Sequence, residues 1–316
     1  MRSKAQLKTR IRHILAASAF SFAFATPAFL IVMAFFNADM GRGILFGVAV
    51  FVFVFAVTAV LWKKTDLVHS GLYIAHCIAN PLGKRKYYCP CCNRSIARFA
   101  DMGYYDDTER FDPGRFKKCR QDVICPFCYS APRQRILATY ACENMDLFKR
   151  SKILYFAPEY SMMKWMKRNG IKPVTADLAD PHADLKIDLT DTELGDGSYD
   201  MIICNHVLEH VSDHTKALSE MHRILSPGGV LIISFPIDQD LDTVFEKDTS
   251  SASERIRLFG QYDHLRIFGK DSREMMERYG FSVTVIDAEK MQGSILPVTG
   301  PGDYDSNIIF CCTKDR

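Results

Sequence analysis

The hydrophobic pattern separates a strongly apolar beginning of the chain from a remainder in which short apolar runs alternate with polar stretches. Residues 14–36 and 43–62 carry no charge, and each stretch reaches the ~20 residues that a helix needs to cross a bilayer. Lys and Arg flank the outer ends of both stretches, whereas the link between them carries one Arg and one Asp. The pattern therefore predicts a membrane-anchoring helical hairpin over residues 1–66, with both ends in the cytoplasm.

A cleaved signal peptide is the alternative for this segment, because Ala23-Phe24-Ala25 follows a basic start and an apolar run. The apolar run continues past that position and a second span follows. The sequence favours the hairpin.

From about residue 151, apolar runs of strand length alternate with segments of helical periodicity. Such alternation predicts an α/β fold with a mainly parallel seven-stranded sheet that helices cover on both faces. We expect strands over residues 152–156, 172–176, 183–189, 199–204, 230–235, 281–286 and 307–312, and helices over 160–169, 214–225 and 272–279.

The eleven cysteines say more about function than the nearly balanced net charge of +3 does. The charge gives no reason to expect nucleic acid as a partner. An odd number of cysteines fits a disulfide framework poorly, and two C-x-x-C pairs are typical of a metal held by reduced thiolates.

The two pairs predict a small zinc-ribbon-like module over residues 85–135, in which two tight turns aim four sulfurs at one structural zinc ion. Cys91 could replace Cys89 or Cys92, and Cys119 could replace a member of the second pair. A redox role would require a βαβ context that the surrounding loop-rich sequence lacks. The predicted ligands are Cys89, Cys92, Cys125 and Cys128.

Ligands of open α/β sheets bind beyond the carboxyl ends of the strands, so the residues that follow each strand are the candidate binding residues. Most of them are acidic or otherwise polar. They are Ala157, Pro158 and Glu159 after the first strand, Asp177 after the second, Asp188 in the third, and Asn205 and His206 after the fourth.

The order of these segments resembles the motifs of class I S-adenosylmethionine methyltransferases over residues 151–312. The resemblance implies a Rossmann-like methyltransferase domain over residues 136–316 that binds S-adenosylmethionine (SAM). The motifs that carry it are 153–159, Asp177, 187–191, 199–210 (YDMIICNHVLEH) and 223–229 (RILSPGG).

The resemblance implies that Asp177 binds the ribose hydroxyls and that Asp188 accepts from the adenine amino group. The first turn departs from the family. Ala157 and Glu159 stand at the usual glycine positions, Tyr155 replaces the usual acid, and Pro158 has no N–H to donate.

Together with the cysteine pairs, Arg133, Arg135, the 157–159 turn and residues 259–269 resemble a bacterial subgroup associated with polysaccharide biosynthesis. The predicted hairpin then indicates a location at the bacterial inner membrane, with the catalytic domain in the cytoplasm. Hairpin and likeness together favour a small-molecule or glycan/lipid-linked acceptor at the cytoplasmic membrane face.

Methyl transfer to a hydroxyl requires a base, and His206 and His264 are the candidates. Residues 206–210 also fit the H-x-x-E-H pattern of zinc hydrolases, but they follow a strand and are expected to open the next helix. Glu209 and His210 are therefore expected to be packing or helix-surface residues. The polar and aromatic residues 261–266, which follow the fifth strand, are where an acceptor-binding cap would lie. The alternative is a structural loop in which Asp263 pairs with Arg266.

The sequence thus favours SAM-dependent methylation of a small-molecule or glycan-like acceptor. A second interpretation is an RNA or protein methyltransferase that uses the zinc module as a reader, and a third is a catalytically silent binding module. The second depends on a basic face formed by Lys84, Arg85, Lys86, Arg115, Lys117, Lys118 and Arg120.

Overall fold

The computed structural model describes residues 87–103, 119–249, 251–288 and 308–315, together with Val48 and Val52. The chain divides into two compact units, Met1–Ala79 and Asn80–Arg316. The cysteine module and the α/β domain both belong to the second unit. Apart from Val48 and Val52, the two predicted membrane spans lie outside the described residues.

The predicted inner-membrane location requires a correction. Among the described residues, no helix is both long and apolar enough to span a membrane. The longest of them has 12 residues, well short of the ~20 that a bilayer requires. This finding contradicts the location inferred from the hydropathy of the first 66 residues.

Two short antiparallel hairpins form the cysteine module. Strands β1 (Tyr87–Cys89) and β2 (Arg94–Ile96) pair with each other, and so do β3 (Ala100–Gly103) and β4 (Cys119–Ile124). Helices α1 (Pro132–Glu143) and α2 (Met145–Arg150) then lead into the central sheet.

The central sheet has seven strands in the spatial order β12-β13-β9-β8-β5-β6-β7, and β13 alone runs antiparallel to its neighbours. The predicted mainly parallel seven-stranded sheet is confirmed. Its strands are β5 (Ile153–Phe156), β6 (Val174–Asp177), β7 (Leu185–Lys186), β8 (Tyr199–Asn205), β9 (Leu225–Ser234), β12 (Phe281–Asp287) and β13 (Ile308–Lys314).

Helices α3 (Tyr160–Arg168), α4 (His214–Ile224) and α6 (Ser272–Arg278) connect these strands. The expectation that residues 206–210 open a helix is wrong. The Asp213 carboxylate accepts from the N–H groups of Thr215 and Lys216, so helix α4 begins only at His214. The segment 208–210 is a turn instead.

Alternate side chains of β5 enter two separate cores, as the two-residue period of a strand requires. Ile153 and Tyr155 pack in one core with helix α1 and the buried cysteines. Leu154 and Phe156 pack in the other core with residues of α4 and α6. The cysteine module therefore shares a hydrophobic core with one face of the sheet.

An insertion between β9 and α6 contributes β10 (Phe245–Glu246), α5 (Ala252–Phe259) and β11 (Arg266–Ile267). Arg266 is only 2% exposed. Its guanidinium donates to the carbonyl oxygens of Leu208 at 2.7 Å, Ser212 at 3.1 Å and Val211, and it also contacts Glu246. One buried side chain thus fastens the insertion to the turn that follows β8.

Replacing Arg266 with Met keeps the length of the side chain but leaves three carbonyl oxygens without their donor. Because hydrogen bonds to charged groups contribute about 1.5–3 kcal/mol each, we expect a loss of at least about 3 kcal/mol in the free energy of unfolding. Urea denaturation measures it. The exposed Arg257, which pairs with Glu254 at 3.8 Å, is the control, and R257M should cost at most about 0.5 kcal/mol. Equal losses in the two variants would contradict this role of Arg266.

Candidate functional site

The structure brings together the four cysteines that the sequence singled out. The sulfur atoms of Cys89, Cys92, Cys125 and Cys128 all lie within 4.8 Å of one another. The Cys89–Cys128 and Cys92–Cys125 separations are 3.7 Å and 3.8 Å. Four sulfurs at about 2.3 Å from a tetrahedral zinc ion lie roughly 3.8 Å apart, so the cluster matches the dimensions of a structural zinc site.

Each cysteine pair sits on the same kind of tight turn. The N–H of Asn93 donates to the carbonyl oxygen of Cys89 at 2.8 Å, and the N–H of Tyr129 donates to that of Cys125 at 3.0 Å. Asn93 and Tyr129 both have positive φ, at 56° and 60°. Two such residues at equivalent positions are unusual for side chains other than glycine, so the two turns are built alike.

Cys91 takes no part in this cluster, because its thiol donates to the carbonyl oxygen of Gln134 at 3.3 Å. The side chain of Cys119 lies outside the described residues. The hydroxyl of Ser130 lies 3.3 Å from the sulfurs of both Cys89 and Cys128. It is therefore placed to support the sulfur atoms from outside the cluster.

The guanidinium of Arg135 is fully buried beside the cysteines. It donates to the carbonyl oxygen of Ser130 at 2.6 Å and lies 4.2 Å from the centroid of the Phe99 ring. A buried cation needs negative charge nearby, and zinc bound by four thiolates carries a net charge of −2. The charge of Arg135 fits that of a metal-bound cluster.

A second candidate site lies where the strand order reverses, between β5 and β8, at the carboxyl ends of these strands. The first residue after each strand has an unusual backbone conformation: φ is 45° at Ala157 and 53° at His206. Residues other than glycine adopt such angles at a cost of about 1–3 kcal/mol and often do so at functional sites. The strain marks the place where the sequence predicted a binding crevice.

Asp177 and Asp188 lie on the neighbouring strand ends. Oδ1 of Asp177 accepts from the N–H groups of Ala179 at 2.7 Å and Asp180 at 2.9 Å. Among the described residues no partner is recorded for its Oδ2, which leaves this atom free for a ligand. The exposed Asp188 accepts at Oδ1 from the N–H and hydroxyl of Thr190, so it also shapes a turn.

An ion pair between Glu159 and Arg133 holds the first turn, residues 157–159, which departs from the family pattern. Oε1 of Glu159 lies 2.8 Å from Nε of Arg133 and also contacts Gln134, while Oε2 accepts from the Tyr155 hydroxyl at 3.3 Å. The Glu159 carboxylate thus contacts the hydroxyl of Tyr155, the residue that replaces the family's usual acid. The N–H of Ala157 is occupied by the carbonyl oxygen of Ala176 at 2.9 Å, and Pro158 has none to donate.

Two buried polar atoms at the end of β8 have no hydrogen-bond partner among the described residues. They are Nδ2 of Asn205 and Nε2 of His206. The other end of the Asn205 amide accepts from the Ser234 hydroxyl at 2.9 Å, which fixes its orientation. Unpaired buried polar atoms are costly, so this pair marks a place for a ligand or an ordered water molecule.

Glu209 is completely buried and lies among three histidines. Its Oε1 is 3.2 Å from Nδ1 of His206, and His210 and His264 also offer ligand atoms close to it. Burial by itself would raise the pKa of Glu209, but its contact with His206 and the charges of His264 and His210 lower it. Burial lowers the pKa of His264, which favours a neutral imidazole.

The structure thus brings the two candidate bases, His206 and His264, to one carboxylate. The expectation that Glu209 would be a packing or helix-surface residue missed its central position. Asp263 contacts His210 at 3.4 Å, and Arg266 contacts Glu246, so the predicted Asp263–Arg266 pair does not form. The H-x-x-E-H pattern was the signal in the sequence that Glu209 lies close to histidines. The pattern could not show that the insertion places His264 beside the same carboxylate.

Comparison with known proteins decides the family. The family described as a methyltransferase domain matches residues 121–285, more than half of the 316-residue chain.

The chain belongs to this methyltransferase family.

The predicted class I SAM methyltransferase domain is confirmed in family and sheet architecture. No curated protein matches the chain. Among solved structures, an Archaeoglobus fulgidus SAM-dependent methyltransferase is 13% identical with a TM-score of 0.39. The match covers 57% of this chain and 94% of that protein.

A Thermotoga maritima SAM-dependent methyltransferase is 17% identical with a TM-score of 0.35, over 58% of this chain and 99% of that one. The [4+2]-cyclase SpnF is 15% identical with a TM-score of 0.42, over 57% of this chain and 80% of that one. Identities and TM-scores this low carry no inference about reaction or substrate.

The cysteine cluster of this methyltransferase yields a direct prediction. Cys125→Ser should remove one zinc ion per chain and, because the cluster shares a core with β5, should lower the melting temperature of the domain. Structural zinc contributes on the order of 10 kcal/mol in isolated zinc peptides, comparable to the whole stability of a domain. Atomic absorption and thermal denaturation measure the two effects.

The exposed Cys142 provides the matched control, and Cys142→Ser should keep both the zinc and the melting temperature. A Cys125→Ser protein that retains the full zinc content would show that the four sulfurs do not form the site.

Proposed function

We propose that this methyltransferase transfers a methyl group from SAM to a hydroxyl of a small-molecule or glycan-like acceptor. The observation that carries the proposal is the arrangement at the end of β8. There, a strained His206 has one ring nitrogen against a buried carboxylate and the other without a partner among the described residues. A base supported in this way suits an acceptor that must lose a proton.

The residues at the strand ends fit the cofactor that the family uses. Asp177 has one carboxylate oxygen that would accept from ribose hydroxyls, and Asn205 has an amide donor without a partner among the described residues. Asp188 lies two residues beyond β7 and would accept from the adenine amino group. Glu159 contacts Tyr155 and would supply the carboxylate that the family has at the position of Tyr155. Ala157 and Pro158 would line the crevice.

When bound, SAM supplies an electrophilic methyl group on a sulfonium sulfur. The protein's own task is to orient the acceptor and to remove its proton. His206 would take that proton at Nε2, the atom without a partner, while Nδ1 remains against Glu209. The carboxylate would hold the ring in place and stabilise the imidazolium that forms.

His264 is less suited to act on the acceptor directly. It is only 8% exposed, and its Nδ1 lies 3.0 Å from the carbonyl oxygen of Phe259.

The RNA or protein interpretation gains no support. The basic residues 84–86 and 115–118 on which it depends lie outside the described residues. The cysteine cluster itself packs into the core. RNA and protein acceptors are therefore outcomes of the test below, and so is the catalytically silent binding module.

The test is transfer of labelled methyl from SAM to a panel of acceptors: nucleotide sugars, oligosaccharides, small phenols, RNA and an unstructured protein. We expect transfer to a hydroxyl compound of the first three classes. His206→Gln should lower kcat by about 10²–10⁴-fold, the usual contribution of a general base.

His222 is the matched control, because it contacts Phe281 at the amino end of β12 and lies near Gly280, away from the carboxyl strand ends that form the candidate site. His222→Gln should leave kcat unchanged. Transfer to RNA or protein alone would replace the proposed acceptor class. Binding of SAM without transfer to any acceptor would favour the silent module.

A further inference from the structure

The group of Glu209, His210 and His264 has the composition of a metal site that is distinct from the cysteine cluster. Each of the three side chains offers a ligand atom, and these atoms lie within 4.8 Å of one another. Two imidazoles and one carboxylate are a common ligand set for divalent zinc, iron and manganese in enzymes. Glu209 and His210 come from the turn after β8, whereas His264 comes from the insertion.

In both histidines Nδ1 faces a hydrogen-bond acceptor. Nδ1 of His264 lies 3.0 Å from the carbonyl oxygen of Phe259, which can only accept a hydrogen bond. Nδ1 of His210 lies 3.4 Å from Oδ2 of Asp263. With the proton on Nδ1, each ring keeps the lone pair of Nε2, and metal-bound histidines almost always donate their second N–H to a carbonyl or carboxylate in this way.

The carboxylate between the two rings is short of partners. Glu209 has no exposed surface, and neither of its oxygens makes a hydrogen bond with any described residue, although Oε1 lies 3.2 Å from His206. A carboxylate that is withdrawn from water needs a cation or several donors to offset the cost. A divalent cation bound through one carboxylate oxygen would offset this charge and take both histidine lone pairs, while Oε1 stays beside His206.

We propose that Glu209, His210 and His264 bind a divalent transition-metal ion, with zinc, manganese or iron(II) as the chemical class. Ligand atoms at about 2.1 Å from such an ion lie roughly 3.4 Å apart, so binding would draw the three side chains somewhat closer than in the structure. His210 has 31% of its side chain exposed, which provides a path for the ion.

The site explains why the insertion is fastened so firmly to the turn. Arg266 donates to the carbonyl oxygens of Leu208 and Ser212, and the N–H of Leu265 donates to that of Glu209 at 2.9 Å. These bonds fix the two segments that supply the ligands relative to each other. Three protein ligands leave at least one coordination position open for an oxygen of water or of a substrate.

The test is a titration of the metal-free, reduced full-length protein with Co²⁺, followed by absorption spectroscopy. We expect two ions per chain with different spectra. Cobalt at the four cysteines produces intense thiolate-to-metal charge-transfer bands, whereas cobalt at the second site shows only weak visible bands of a nitrogen and oxygen environment. Because the readout is metal binding, it is independent of the methyl-transfer proposal.

Glu209→Gln and His264→Gln should each abolish the second ion and leave the charge-transfer bands intact, which also reports that the protein is folded. Asp263→Asn, which keeps all three ligands, should weaken the second site by about tenfold or more, as loss of a supporting carboxylate does. The exposed His182 is the control, and His182→Ala should bind both ions normally. A wild-type protein that binds cobalt only at the cysteines, or variants that retain the second ion, would overturn the proposal.

Discussion

The burial of charge at the carboxyl end of β8 is the constraint on which the candidate site depends. Glu209 has no exposed surface and Arg266 has almost none. Ions removed from water must be compensated within the protein. Arg266 is compensated by carbonyl oxygens of the turn 208–212 and by Glu246. Among the described residues Glu209 has only imidazoles beside its carboxylate, and that arrangement brings His206, His210 and His264 to one place.

The cysteine cluster also requires compensation of buried charge, in the core that covers one face of the sheet. Four sulfurs converge in a core that also contains Ile136 and Tyr155, and Arg135 is buried beside them. Neither an isolated thiolate cluster nor an isolated guanidinium is stable in such surroundings. A metal ion bound by the sulfurs and balanced by Arg135 would resolve both costs, and it would link the stability of the module to that of the sheet.

The sequence predicted the parts of the fold that depend on local patterns. Strands such as 199–204 and 281–286 and the helix that begins at His214 match the structure to within one residue, because a buried strand or an amphipathic helix has its own periodicity. The cysteine pairs were equally readable, since the spacing within each pair already determines a tight turn.

The site could be predicted only in part, because its geometry depends on contacts between distant segments. The strand-end rule located Asp177, Asn205 and His206. It could not show that His264, 58 positions beyond His206 in the sequence, would join the same carboxylate. That placement depends on Arg266, and the hydrogen bonds of Arg266 to backbone carbonyls leave no trace in composition or periodicity. The two strands of the insertion have only two residues each, which is too short for a recognisable strand pattern in the sequence.

The most direct measurement for the whole account is calorimetric titration of the purified protein with SAM, because every role assigned at the strand ends requires that the crevice bind this cofactor despite its altered first turn. We expect saturable binding of one molecule per chain. Asp177→Asn should lower the affinity at least about tenfold, because it forfeits charge-assisted hydrogen bonds. The neighbouring variant Asp180→Asn should bind normally. Absence of binding to the wild-type protein, or equal affinity in the Asp177→Asn variant, would contradict it.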